Sequence, residues 1–129
     1  MTNSGYQYFT IEELSCHGEN CCGGQASMHP EFMPKIVSLR RELGFAFIPS
    51  SAYRCPLHNS NVSSTGENGP HTTGRAMDIL VCYDQAVRLL EAAILSGMFT
   101  GFGLNQKGDP AKRFIHLDDI PGPKRIWTY

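Results

Sequence analysis

Apolar residues along this chain recur in two periods. Over residues 30–43, Phe32, Ile36, Leu39 and Leu43 fall at spacings of four, three and four, which is one face of a helix. Lys35, Arg40, Arg41 and Glu42 fall mostly on the other face; Pro30 and Pro34 are tolerable near the start, and Gly44 is placed to end it. A second helix is expected over residues 85–96, capped by Asp84 and ended by Gly97, with Val87, Leu90, Ala93 and Ile94 as its buried face. A short first turn precedes both. Thr10 and Glu13 have the spacing of a capping box, and residues 15–18 break the helix soon after it starts.

Strand-like stretches lie between the helices. Phe45, Ala46, Phe47 and Ile48 read as a short apolar strand stopped by Pro49, and His58 and Asn59 begin a short helix. Residues 76–81 read as a strand with Asp78 facing opposite to Ile79 and Val81. Residues 100–104 form another, whose glycines suit close backbone approach. After a turn at residues 105–110, residues 113–118 return antiparallel to it, with Phe114, His116 and Asp118 on one face. The tail from Ile120 is too Pro-rich for a helix and is expected to pack Trp127 along an edge.

Composition bounds the answer. A chain of 129 residues that is 41% hydrophobic holds one core, so a single domain over residues 1–129 is expected. The formal net charge of -1 argues for neither nucleic acid nor an anionic membrane as partner, and a monomer is expected. No apolar run approaches the ~20 residues of a membrane span. The N-terminus lacks a basic start and an apolar core, so no signal peptide is expected. Five cysteines are an odd number for a fully oxidised framework. Cys16, Cys21 and Cys22, with His17 beside them, suit reduced thiols packed in a loop. A disulfide and a second metal are the alternatives.

The candidate chemistry centres on His71 and Asp78, which have six residues between them, Gly74 and Ala76 among these. A charged aspartate inside an apolar strand is costly unless a cation or donors satisfy it. His116, near the C-terminus, is a third ligand type. Catalytic zinc takes three such side chains and keeps a fourth position open, so His71, Asp78 and His116 are expected to hold one zinc ion. Arg54, leaving a strand just ahead of a Pro turn, suits gripping an anionic group, with an ordinary salt bridge as the plainer reading. The polar, Gly- and Pro-rich loop 63–70 delivers His71 and can form one rim of a cleft.

These residues carry a resemblance. Ser51-Ala-Tyr-Arg54, then His58-Asn59, then His71-x-x-Gly-x-Ala-x-Asp78, then His116-x-Asp118 resembles the M15 family of zinc peptidases over roughly residues 9–118. That family includes D-Ala-D-Ala carboxypeptidases and bacteriophage cell-wall endopeptidases, and shares its fold with the hedgehog signalling domain. The resemblance implies an α+β fold in which a small antiparallel sheet carries the zinc site and helices pack on one side. It implies zinc at His71, Asp78 and His116, and a contact to a substrate carboxylate at Arg54. Arg54 is expected to serve in catalysis as well, and Ser51 and His58 to bind substrate with it. The substrate implied is a peptidoglycan stem peptide, trimmed at its end or cut internally. A compact chain without a signal peptide then suits a phage lysis or tail-associated enzyme, made in the cytoplasm and acting on the cell wall.

One departure stands out. Several family members carry an acid three residues before the last zinc histidine; here that residue is Arg113. Others in the superfamily carry a histidine two before it; here that is Phe114. Asp118 is therefore the expected catalytic acid/base, or else it orients a ligand histidine, with Asp109 a distant third. The alternative to an enzyme is a non-catalytic, zinc-bearing binding module of the same fold.

Overall fold

Strand alternation decides this architecture, because it sends apolar and polar side chains of the same strands to opposite faces. The computed structural model describes residues 3–129. In chain order the elements are α1 (Ile11–Leu14), α2 (Met33–Leu43), β1 (Pro49–Ser51), α3 (Pro56–Val62), β2 (Ala76–Leu80), α4 (Tyr83–Ser96), β3 (Gly101–Asn105), β4 (Phe114–Asp118) and β5 (Arg125–Thr128). The strands form one five-stranded sheet, ordered β1-β2-β4-β3-β5. Every neighbouring pair is antiparallel except β3 and β5, which run parallel. The fold is therefore mixed α/β, and the expected all-antiparallel sheet is corrected at this edge.

Met77, Ile79, Ile115 and Leu117 share one face and enter a core with Ile36 and Leu39 of α2 and Leu89 and Ala93 of α4. Phe32 and Phe99 meet there edge to face, 6.2 Å between centroids. The cross-strand rows on the other face read Ala76–Asp118–Gly101–Arg125 and Asp78–His116–Gly103–Trp127. Those two rows carry the chemistry. No helix among the described residues is long and apolar enough to cross a membrane.

Several expected boundaries move. The capping box at Thr10 and Glu13 forms. The second helix starts at Met33 rather than Pro30, with Pro34 in its first turn, where a missing N–H costs nothing. The expected strand at residues 45–48 is irregular; pairing begins at Pro49, which an edge strand with a bulge tolerates. Helix α4 has Cys82, not Asp84, at its N-cap and buries Ala86, Leu89 and Ala93. Val87 and Ile94 stay 69% and 48% exposed. The smaller alanine pair lets α4 lie closer to its neighbours than a Val/Ile face would.

Candidate metal centre

His71 stands in a 3₁₀ turn, Pro70–Thr73, that ends at Gly74 in the left-handed region, φ 74°. A Cβ at Gly74 would also lie 2.2 Å from the Ser27 carbonyl oxygen. Glycine is needed there for both conformation and space, which accounts for its place between His71 and Asp78. The turn delivers His71 beside β2, where Asp78 pairs across the sheet with His116 of β4.

Each histidine is tied through its remote nitrogen. His71 Nδ1 lies 2.7 Å from the Ala52 carbonyl oxygen, an acceptor only, so Nδ1 carries the proton and donates. His116 Nε2 lies 2.7 Å from Asp118 Oδ2 and donates to that carboxylate. This leaves His71 Nε2 and His116 Nδ1 facing Asp78 Oδ1, at 3.2 and 2.9 Å. The three ligating atoms all lie within 4.8 Å of one another, and all three residues are buried. Histidines fixed this way by a carbonyl and a carboxylate are the usual partners of a metal ion. Two nitrogens and a carboxylate oxygen are also a donor set that fits zinc.

The electrostatics agree. Burial works to raise the Asp78 carboxyl pKa, but the charges and hydrogen bonds of His71 and His116 overcome it and hold the group well below the carboxylate range. Burial likewise works to lower His116, and its bonds to Asp118 and Asp78 raise it instead. Asp78 is thus held ionised between the two histidines, as a ligand carboxylate must be.

The centre opens into a cleft of about 480 Å³. Arg54, Ser63, Ser64, Thr65 and Pro70 line it from the α3 side of the chain, and Phe114, Arg125, Trp127 and Tyr129 from β4 and the tail. The loop 63–70 therefore does contribute a rim. Arg54 donates from Nε to Ser51 Oγ at 2.9 Å, from one terminal nitrogen to Asn59 Oδ1 at 3.1 Å, and from the other to Asp78 Oδ2 at 3.5 Å. A guanidinium has five N–H donors. These bonds leave one N–H on each terminal nitrogen for a ligand. Asn59, buried under the rim, donates in turn to Thr65 Oγ1 and the Gly66 carbonyl.

The other candidates lie elsewhere. His58 does not line the cleft; its ring lies close against Gly18. Arg113 donates to the Gly108 carbonyl and lies 5.2 Å over the Tyr83 ring. Asp109 is exposed and caps the turn at Pro110–Lys112. Asp118 is fully buried and accepts from Arg125, Thr100 Oγ1 and the Ile120 N–H besides His116. Burial pushes its pKa up, and the bond to His116 and the charges of His116 and Arg125 bring it down below the ordinary value.

Sequence reasoning missed Arg125, Tyr129 and Asn59 as site residues, and placed Trp127 at an edge without linking it to the centre. Strand β5 brings Arg125 across Gly101 to Asp118, and the Trp127 ring to 4.9 Å from the His116 ring. A Cβ at Gly101 would lie 2.1 Å from Asp118 Oδ2, and one at Gly103 would lie 2.7 Å from the Trp127 ring. The two glycines clear β3 so that β5 can reach β4 over it. The alternation of Arg125, Trp127 and Tyr129 was the available signal.

Two histidines, one anchored by a carbonyl and one by a carboxylate, face an aspartate at a cleft, a donor set that could hold a metal ion. The family profile described as Peptidase M15 matches residues 7–118, and the chain belongs to that family. Membership points to peptide-bond hydrolysis. Compared individually with curated proteins, the chain matches none.

Proposed function

We propose that this protein is a zinc-dependent peptidase that hydrolyses peptidoglycan stem peptides, as a carboxypeptidase or an endopeptidase. The observation that carries the reading is the pair of anchored histidines, whose free nitrogens face Asp78 at the floor of a cleft that also holds Arg54. His71 Nε2, Asp78 Oδ1 and His116 Nδ1 would hold the zinc. When bound, zinc supplies a Lewis acid for a carbonyl and activates water.

The chain's own residues do the rest. Arg54, steadied by Ser51 and Asn59, offers its two remaining N–H groups to a carboxylate or carbonyl of the peptide. Trp127 and Tyr129 supply apolar wall beside it. Asp118 keeps the proton of His116 on Nε2, so that Nδ1 stays a ligand. Its burial and its ion pair with Arg125 favour this positioning role over proton shuttling. His58, packed by Gly18, supports α3 instead of meeting the peptide.

A non-catalytic binding module is the second reading. It is favoured by one observation: among the cleft-lining residues described, Asp78 is the only carboxylate. Purified protein incubated with peptidoglycan separates the two. Release of new amino and carboxyl ends, stopped by chelator and restored by zinc, is expected. Zinc-dependent binding to the wall without release would establish the module instead.

A further inference from the structure

A second compact group of ligating atoms lies outside the cleft. The Sγ atoms of Cys16, Cys21, Cys22 and Cys55 all lie within 4.8 Å of one another. Cys16 and Cys21 are 3.9 Å apart, and Cys21 and Cys22 4.0 Å. Zinc–sulfur bonds of ~2.3 Å in a tetrahedron put sulfurs roughly 3.8 Å apart. A disulfide needs about 2.05 Å, and all five cysteines are free. Four of them therefore form one cluster, and the fifth, Cys82, stands apart at the N-cap position of α4.

Three of the four sulfurs accept from backbone N–H groups. Backbone N–H groups of Gln25, Cys55 and His58 point at Cys22, Cys16 and Cys55 sulfurs, at 3.4, 3.5 and 3.4 Å. Such bonds stabilise charge on sulfur. A Cβ at Gly18 would lie 2.8 Å from Cys21 Sγ, so glycine keeps the space beside the cluster clear. Residues 15–29 contain no helix or strand, and Asn20, Gly23 and Gly24 all turn through positive φ. Cys16 N–H to the Gln25 carbonyl at 2.7 Å closes the base of this stretch, and His29 N–H to the Gly74 carbonyl at 2.9 Å ties its end to the turn after His71.

We propose that Cys16, Cys21, Cys22 and Cys55 bind a second, structural zinc ion. Binding replaces the thiol protons with one Zn²⁺ and involves no redox change. The ion cross-links the 15–25 loop to the chain just after Arg54, at the N-cap of α3. It is therefore a staple beneath the corner that carries Arg54, and it is independent of the ion assigned to His71, Asp78 and His116.

Full-length protein purified from zinc-supplemented medium is expected to hold about two zinc ions per chain. Cys21→Ser should hold one fewer and melt lower by ~10 °C, as loss of a cross-link worth ~3 kcal/mol would. His71→Ala should lose the other ion and keep this one. Replacing zinc with Co²⁺ gives a second readout that needs no variant: sulfur ligation produces an intense near-ultraviolet charge-transfer band. That band should appear in the unmodified protein and persist in His71→Ala. Its absence from the unmodified protein overturns the proposal, even if Cys21→Ser fails to fold. So does a denatured, unreduced, metal-free chain in which only Cys82 reacts with a thiol reagent, since that means disulfides.

Discussion

His71, Asp78 and His116 stand on a 3₁₀ turn and two paired central strands, β2 and β4. Cys16, Cys21 and Cys22 stand on a stretch with no helix or strand, joined from outside by Cys55. The first set has three donors and opens into a cleft; the second has four and lies outside that cleft. On the two proposed readings, the contrast separates two uses of a metal. A centre preorganised by a sheet leaves the ion's binding energy and open position available for chemistry. A centre on an irregular loop uses that energy to fold the loop.

The largest effect that tests this contrast is on turnover. His71→Ala removes a donor from the sheet-borne centre, and several kcal/mol of transition-state stabilisation should go with it, about 10³-fold or more in kcat. Its melting temperature should stay near that of the unmodified protein. A collapse of stability on a par with Cys21→Ser would erase the distinction between the two centres.

A smaller effect is expected at Asp118. Asp118→Asn weakens the hold on His116 Nε2, so zinc affinity at the cleft should fall ~10- to 100-fold while turnover per bound ion changes little. Equilibrium dialysis alongside single-turnover rates reads the two separately. Retained affinity with a rate loss of ~10²-fold would make Asp118 the proton-transfer group. The cysteine centre should not respond at all.

The smallest effect is at Arg54, the link between the centres. Arg54→Lys keeps the charge but loses the planar fork and its bonds to Ser51 and Asn59. Turnover on peptide substrates should drop about tenfold, the scale of one charge-assisted hydrogen bond. Metal content should be unchanged. Unaltered kinetics would return Arg54 to an ordinary ion pair with Asp78.

Much of this molecule was legible one segment at a time. The Thr10–Glu13 box, the body of α2 and the strands around Asp78 and His116 all come from local period, capping and turn chemistry. So does the polar rim before His71. At Gly101 and Gly103 it is the Asp118 and Trp127 side chains that come close, not the expected backbone. The three ligand-type residues could be proposed because buried charge on an apolar strand demands a partner. The buried face of α4 was misread. Its pattern offered Val87 and Ile94 as readily as Ala86 and Leu89, and only the shape of the surface it packs against selects between them.

What the chain determined by itself is therefore short-ranged: which stretches are helix or strand, where they turn, and which side chains are chemically expensive to bury. The tertiary structure alone decided the long-range meetings. It set β5 parallel to β3 so that Arg125 crosses Gly101 to Asp118, and it brought Cys55 into the group formed by Cys16, Cys21 and Cys22. Both join residues that are distant in sequence through sheet pairing and loop closure. No local period encodes such contacts, because their energy comes from surfaces that exist only once the other segments are in place.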